Sequence, residues 1–150
     1  MADSYGVNGK QLTSQYKEFI STYRQWDQLG HASEYVLFKQ NIGPRLCIDE
    51  TSLSRGELYT VVTNRAEHGG RGTLVAMIRG TKSEDVIKVL EMIHVSKRKT
   101  VKEVTLDLSP TMMRIVRTAF PNATMTNDRF HVQKLFYEAI DELRVTYRWM

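Results

Sequence analysis

Three aspartates and a histidine are the residues of this sequence best suited to chemistry. Asp49 lies in the run RLCIDETSL, Asp107 lies in VKEVTLDLSP, and Asp128 begins an Asp-Arg-Phe-His tetrapeptide that ends at His131. Carboxylate oxygens suit hard cations such as Mg²⁺ or Mn²⁺, and a pair of such ions can activate a water or a 3′-hydroxyl for phosphoryl displacement. An aspartate at a strand end is also a common turn former or helix cap, so residue type alone leaves both interpretations open.

The stretch from residue 101 to residue 131 must position two of these aspartates. Residues 101–108 are β-branched and aliphatic and stop before Pro110, which predicts a strand with Asp107 near its end. Residues 111–120 carry apolar side chains at helical spacing, and residues 123–127 predict a second short strand. Because ligands collect outside the carboxyl ends of strands in open α/β sheets, the aspartates that follow these strands indicate a site.

The stretch from Arg45 to residue 79 predicts three strands in an antiparallel meander. The first begins RLCIDE, the second covers residues 57–64, and the third covers residues 73–79. Gly69, Gly70 and Gly72 lie between the second and third strands, where they favour a hairpin turn over a phosphate-binding loop, because no helix follows them directly.

The predicted order is therefore three strands, a helix, a strand, a helix, a strand and a helix that runs from residue 132 to residue 150. This order indicates a mixed α/β sheet. Right-handed crossovers would place the strand of Asp107 beside the strand of Asp49. Two carboxylates placed so near each other repel, and one must take up a proton unless a cation neutralises them.

Composition sets the class of protein. The 150 residues are enough for about one domain with its own core, and the net charge of +4 permits a nucleic-acid partner without requiring one. The single cysteine excludes an internal disulfide framework and a multi-cysteine zinc site. No apolar run is long enough for a membrane span, and no signal peptide is evident, so we expect a cytoplasmic protein with no membrane partner.

The first 44 residues differ in character from the rest. Residues 1–10 are polar and predict a loose lead-in, and residues 11–29 carry apolar side chains at three- and four-residue steps, which predicts an amphipathic helix. They contain no convincing helix-turn-helix, so a linker or partner-packing helix is the simpler interpretation. We therefore expect two parts, a helical lead-in or linker over residues 1–44 and a mixed α/β domain over residues 45–150.

Several motifs in order carry a resemblance to a known family. These are RLCIDETSLSRGELYTVVTN, IRGTKSEDV, VKEVTLDLSPTM, FPNATMTNDRFHVQKL and EAIDELR. Together they resemble the DDE transposases of bacterial insertion sequences, in the branch with an Asp-Arg-Phe-His signature. The resemblance covers residue 45 to the end of the chain and implies that residues 45–150 are a partial ribonuclease H-like transposase catalytic domain. It implies a ribonuclease H-like mixed sheet and DNA transposition of a mobile element, by metal-dependent cleavage and transfer of DNA strands.

The resemblance also assigns roles to the four residues. Asp49 and Asp107 match the first two catalytic aspartates, so it implies that both are catalytic and that both bind Mg²⁺ or Mn²⁺. Asp128 and His131 match an element that supports the active site or the bound DNA, which makes them accessory residues. The partners implied are DNA, as transposon ends and target, and a full-length transposase or a separate N-terminal transposase chain.

Basic residues are the candidate contacts to DNA phosphates. Lys97, Arg98 and Lys99 form a group at the end of the helix predicted after the three-strand meander, and Arg129 and Lys134 accompany the histidine motif. A basic group at a helix end is more commonly a solvated surface that complements the helix dipole, so the group has two open interpretations.

The chain departs from the family pattern at the third catalytic acid. The family places this glutamate on a helix well beyond the histidine motif, and this chain ends first. Glu138 and Glu142 lie on the last predicted helix, which is not the helix that bears the acid in the family, and Glu50 points away from Asp49 in a regular strand. We therefore expect a transposase fragment, incomplete at its C-terminus and inactive alone.

Two further hypotheses remain beside the fragment. One is a self-contained ribonuclease H-like nuclease that recruits Glu138 or Glu142 as its third acid. The other is a non-catalytic module that binds DNA or full-length transposase and regulates it.

Overall fold

The computed structural model describes residues 8–53 and 56–148, which fall into two compact units that divide between Glu34 and Tyr35. The first unit contains helix α1 (Gly9–Gln15), a π-helical turn (Tyr16–Ile20) and a short 3₁₀ helix (Tyr23–Gln25). Residues 1–7 of the lead-in predicted over residues 1–10, and the last two residues of the predicted terminal helix, lie outside the described residues. Within the described residues, none of the helices has the length and apolar character that crossing a membrane requires.

The helix predicted over residues 11–29 is shorter in the structure. Ser21 has φ −95° and ψ 159°, an extended conformation that ends the helical run after the π turn. The apolar side chains of Leu12, Tyr16, Phe19 and Ile20 are exposed. Since most helical stability in proteins comes from packing an apolar face, a helix whose face is exposed has little to hold its later turns.

The second unit is built on one six-stranded sheet. Its strands are β1 (Tyr35–Leu37), β2 (Arg45–Ser52), β3 (Leu58–Asn64), β4 (Leu74–Arg79), β5 (Glu103–Leu106) and β6 (Thr124–Asn127). Its helices are α2 (Ser83–Glu91), α3 (Val95–Arg98), α4 (Pro110–Ala119) and α5 (Arg129–Arg148). The order of strands across the sheet is β1-β4-β3-β2-β5-β6.

The pairing directions confirm the predicted fold class. Strands β2, β3 and β4 pair antiparallel as a meander, and β5 pairs parallel with β2 on one side and with β6 on the other. A meander followed by two parallel strands that helices connect is the ribonuclease H-like arrangement. The crossover therefore brings the strand of Asp107 next to the strand of Asp49, as the sequence predicts.

The core lies between one face of the sheet and helices α2 and α4. On the sheet side it contains Leu46 and Ile48 of β2, and on the helix side it contains side chains such as Leu90 and Ile115, all at most 1% exposed. Because side chains alternate along a strand, Cys47 and Asp49 lie on the opposite face. This alternation leaves the acid on the face that α2 and α4 do not cover.

Strand β1 is the element that the sequence did not predict. It pairs antiparallel with β4 at the edge of the sheet, and its Leu37 is 7% exposed. The compact unit that contains the sheet therefore begins at Tyr35. A strand of three residues is too short to give an alternating pattern in the sequence.

Gly43 lies in a tight contact before β2. A Cβ added there would be 2.6 Å from the Nδ2 and Oδ1 atoms of Asn64, which is 6% exposed. The Asn64 amide group has no room to move, because its nitrogen donates to the carbonyl of Asn41 at 3.0 Å and its oxygen accepts from the backbone of Ala66 at 3.1 Å.

We therefore expect Gly43→Ala to lower the free energy of unfolding by about 2 kcal/mol, as forced overpacking does. Equilibrium denaturation in urea measures this. Gly30→Ala is the matched control, since nothing lies within 4 Å of a Cβ there. An equal effect of the two substitutions would show that the contact with Asn64 is unimportant.

Candidate active site

The pairing register carries Asp49 and Asp107 to the same edge and the same face of the sheet. Cys47 of β2 is paired with Thr105 of β5. Asp49 and Asp107 each follow two residues later, so strand alternation places both on the face of that pair. The two aspartates therefore lie at the same level, Asp49 within β2 and Asp107 directly after β5.

Asp128 continues this row on the third parallel strand. Leu106 is paired with Asn127 in the β5–β6 ladder, and Asp107 and Asp128 are the next residues on each strand. The backbone N–H of Asp128 donates to the carbonyl of Leu106 at 2.8 Å, which extends the ladder by one bond. The structure thus places Asp107 and Asp128 directly after the ends of β5 and β6, while Asp49 lies within β2, which continues to Ser52.

Charge at this edge acts on the neighbouring Glu50. Partial burial raises the pKa of the Glu50 carboxyl above its ordinary value, and the negative charges of Asp107 and then Asp49 raise it further. The larger of these two charge effects comes from the neighbouring strand, not from the adjacent residue in the chain. The charges of the two aspartates therefore converge on one place, as their register indicates.

The negative charge at this edge also acts on the thiol of Cys47 in β2. Burial is the largest cause that raises the pKa of this thiol. The carboxylates of Asp49 and Asp128 raise the pKa further, and the guanidinium of Arg65 lowers it. The Nη1 atom of Arg65 is fixed beside the thiol by a 2.7 Å hydrogen bond to the hydroxyl of Thr105.

Each of the first two aspartates has one oxygen engaged with the backbone. The Oδ1 atom of Asp49 accepts from the N–H of Glu50 at 2.8 Å, and the Oδ1 atom of Asp107 accepts from the N–H of Ser109 at 3.1 Å. Within the described ranges, the Oδ2 atoms of both aspartates have no hydrogen-bond partner. Turn formation and metal binding are thus compatible at these residues, because each uses a different oxygen.

Asp128 uses both of its oxygens. Its Oδ1 atom accepts from the N–H of Phe130 at 2.9 Å, at the start of α5, and its Oδ2 atom lies 3.3 Å from the Nδ1 atom of His131. Asp128 therefore fixes the start of the helix and the imidazole ring, which is a supporting geometry.

A cavity of about 290 Å³ opens between the end of β5 and helix α5. It is lined by Asp107, Leu108, Ser109, His131, Lys134, Leu135 and Glu138. Lys134 is thus near Asp107, although its ammonium lies 3.8 Å from the carboxylate of Glu138. Arg129 is exposed at the first position of α5.

No third acid completes a metal-binding group among the residues that the structure describes. No set of three histidine, cysteine or acidic side chains is close enough there to hold an ion. Glu138 shares the cavity of Asp107, whereas Glu142 does not line it. The described residues therefore supply two carboxylates with oxygens suited to Mg²⁺ or Mn²⁺.

The basic group lies at the other edge of the sheet. The N–H of Lys102 donates to the carbonyl of Pro44 at 2.8 Å, just before β2, so the chain after α3 runs along the amino ends of β2 and β5. Arg98 is engaged inside the unit, since it donates to the carbonyls of Ile93 at 3.1 Å and Ala119 at 2.8 Å. Lys97 and Lys99 are exposed, and they do not share an edge with Asp107.

Two residues of this site were not found from the sequence. The sequence predicts that Glu50 points away from Asp49, yet its pKa responds to both aspartates. The neighbouring strand β5 ends at Leu106, so it no longer separates the two faces of the sheet beside Glu50. Arg65 follows β3 and approaches Thr105 across the sheet, at a separation of forty positions in the chain. The contact between Arg65 and Thr105 is evident only from the three-dimensional pairing of the strands.

Comparison with known proteins supports a family for this chain. A family model described as Transposase, of the DDE type, matches residues 46–149, which is more than half of the 150 residues. No curated protein is similar enough to the chain to count as a match.

Because Cys47 is the only cysteine of the sequence, the rate of thiol alkylation measures the charge at this edge. We expect Asp49→Asn to lower the Cys47 pKa towards its ordinary value, since one of the charges that raise it is gone. At a pH about one unit below that pKa, alkylation should become about two- to threefold faster, as expected for one solvent-screened charge.

Arg65→Gln should slow the reaction, because the guanidinium lowers the same pKa. Asp141→Asn, on α5, is the control and should leave the rate unchanged. An unchanged rate in Asp49→Asn would mean that the carboxylate does not face the thiol.

Proposed function

Because this chain belongs to the DDE-type transposase family, we propose that it acts in DNA transposition through a divalent cation, Mg²⁺ or Mn²⁺, bound by Asp49 and Asp107. The observation that supports this most directly is the register of β2 and β5, which sets both carboxylates on one face at one edge. The proposed substrate is DNA, as transposon ends and as target.

The two aspartates would hold the cation through their Oδ2 atoms. Their Oδ1 atoms already accept backbone N–H groups, which fixes the orientation of each carboxylate before any cation binds. Such preorganisation matters because mutual repulsion otherwise favours rotating the carboxylates apart. When bound, the cation supplies Lewis-acid activation of a water or a 3′-hydroxyl and stabilisation of the leaving oxygen.

The accessory residues would position the DNA strand. Asp128 holds His131 at the mouth of the cavity beside Asp107, and Lys134 lines the same cavity. An imidazole and an ammonium there can donate to phosphate oxygens that approach the aspartates. Asp128 itself is a poor metal ligand, because both of its oxygens are engaged.

A DDE enzyme needs a third carboxylate, and the described residues do not provide it in a metal-binding group. We therefore propose that these residues alone bind the cation without cleaving DNA.

One observation favours a second candidate function, a self-contained nuclease. Glu138 of α5 lines the same cavity as Asp107, so a modest shift of the helix would bring a third carboxylate towards the site. The pair that Glu138 forms with Lys134, at 3.8 Å, opposes this role, because it neutralises the carboxylate.

Binding of a cation predicts a rise in thermal stability. At a cation concentration about ten times the Kd, the native state gains about 1.4 kcal/mol, which raises the Tm by about 4 °C. Differential scanning fluorimetry with Mg²⁺ and with Mn²⁺ measures this. The double variant Asp49→Asn, Asp107→Asn should show no rise, and an unchanged Tm of the original chain would contradict the proposed site.

A plasmid nicking assay separates the two candidate functions. We expect the purified chain to leave supercoiled plasmid intact in the presence of Mg²⁺ or Mn²⁺. Nicking that disappears in both Asp107→Asn and Glu138→Gln would overturn this expectation and establish the self-contained nuclease.

A further inference from the structure

We propose that the amino edge of the sheet is a second DNA-binding surface, separate from the aspartates and independent of metal. This amino-edge surface consists of six exposed cations: Lys39, Arg45, Arg71, Lys97, Lys99 and Lys102. The choice of duplex DNA as its partner rests on the proposed function. The existence of the surface rests on contacts between the chain segments that carry these cations.

Backbone contacts bring the cations of two chain segments together at the start of β2. The N–H groups of Lys102 and Glu103 both donate to the carbonyl of Pro44, at 2.8 and 3.1 Å, so Lys102 lies beside Arg45. The amide of Asn122 donates to the carbonyl of Lys99 at 3.1 Å, which fixes the turn that carries Lys99. These lysines are therefore presented by anchored backbone.

A third segment extends the surface across the sheet. The Nζ atom of Lys97 lies 3.5 Å from the carbonyl oxygen of Lys39, in the 3₁₀ helix Lys39–Asn41. The next residues, Gln40 and Asn41, line an open cleft of about 630 Å³ with Arg71, at the turn between β3 and β4. The cations thus continue from the end of α3 to the hairpin turn.

Some cations of the second unit are paired with acids, and these pairs lie outside the amino-edge surface. Arg79, Arg114 and Arg144 are each paired with a carboxylate, at 2.6, 2.7 and 3.4 Å. In the part of the chain that the structure describes, none of the six is in an ion pair. The nearby acids are Glu67, Glu91 and Glu103, and Glu103 lies 3.8 Å from Arg65, which is outside the set.

The surface fits a polyanion that is extended, as a DNA backbone is. Duplex DNA carries one charge per roughly 1.7 Å of its axis, so a row of unpaired cations can release several counterions on binding. Residues 103 and 107 of one strand are separated by about 13 Å, so the surface and the aspartates lie at opposite ends of β5. The DNA segment held here therefore differs from the strand at the aspartates.

Binding to a fluorescein-labelled duplex of about 30 base pairs, measured by anisotropy in EDTA, tests the proposal, since electrostatic DNA binding needs no metal. The variant Lys97→Gln, Lys99→Gln, Lys102→Gln should bind at least about tenfold more weakly. The slope of log K against log salt should fall by about 3, since each lost phosphate contact removes about 0.9.

The matched control is Lys88→Gln, Arg114→Gln, Arg144→Gln, which removes the same charge from α2, α4 and α5. It should bind within about twofold of the original chain. Equal losses of DNA affinity in the two triple variants would show that net charge alone explains the effect, which would overturn the proposal. Unchanged DNA binding in the amino-edge variant would also overturn it. Thermal melting of both variants checks that each is folded.

Two further arms fix the partner and separate this surface from the metal site. Asp49→Asn, Asp107→Asn should bind DNA in EDTA at least as tightly as the original chain, whatever the metal titration shows. Vesicles containing anionic phosphatidylserine should bind weakly and without discrimination between the triple variants. Loss of vesicle binding but not of DNA binding in the amino-edge variant would assign the surface to a membrane and contradict the proposal.

Discussion

The parallel pairing of β5 between β2 and β6 is the constraint on which the candidate site depends. Three strands in this register deliver Asp49, Asp107 and Asp128 to one edge, although more than fifty positions separate the first two in the chain. The carboxylates oppose this arrangement, because like charges at a sheet edge repel. Burial is the largest cause of the raised pKa values of Glu50 and Cys47, and the charges of these aspartates raise both values further.

The hydrophobic core holds the strands in place against this repulsion. Leu46 and Ile48 of β2 alternate with Cys47 and Asp49, and Val104 and Leu106 are buried beside Asp107. Slipping the register by one residue would expose these aliphatic side chains and bury the acids. Core packing and site geometry therefore depend on the same register. Strand β2 can bury Leu46 and Ile48 only if Asp49 lies on the opposite, uncovered face.

Much of this could be predicted from the sequence, because the signals are local. The strands alternate, Pro110 and Pro121 delimit a helix, and right-handed crossovers are nearly universal, so the order of elements and the pairing of β5 with β2 follow. The rest depends on contacts distant in sequence. Arg98 looks like a surface cation in a basic run, yet it joins the ends of α2 and α4.

The amphipathic spacing of the last helix does not correspond to a buried face in the structure. The sequence of α5 has an apolar stripe, including Leu135 and Ile140, but the helix has no buried residue in the structure. Spacing shows that a helix has an apolar face and does not show whether the described residues cover it. The same limit applies to Glu138, whose position beside the cavity depends on how α5 leaves β6.

The topology also explains why the aspartates and the amino-edge surface lie at opposite edges. In a unit that alternates parallel strands and helices, the helices begin at the carboxyl edge and end at the amino edge. Free N–H groups at a helix start stabilise anions, and Asp107 and Asp128 each accept one there, from Ser109 and Phe130. Free carbonyls at helix ends stabilise cations, as Arg98 shows. A polyanion that approaches without metal therefore meets repulsion at the first edge and attraction at the second, which is the physical reason to expect separate sites for DNA chemistry and for DNA binding.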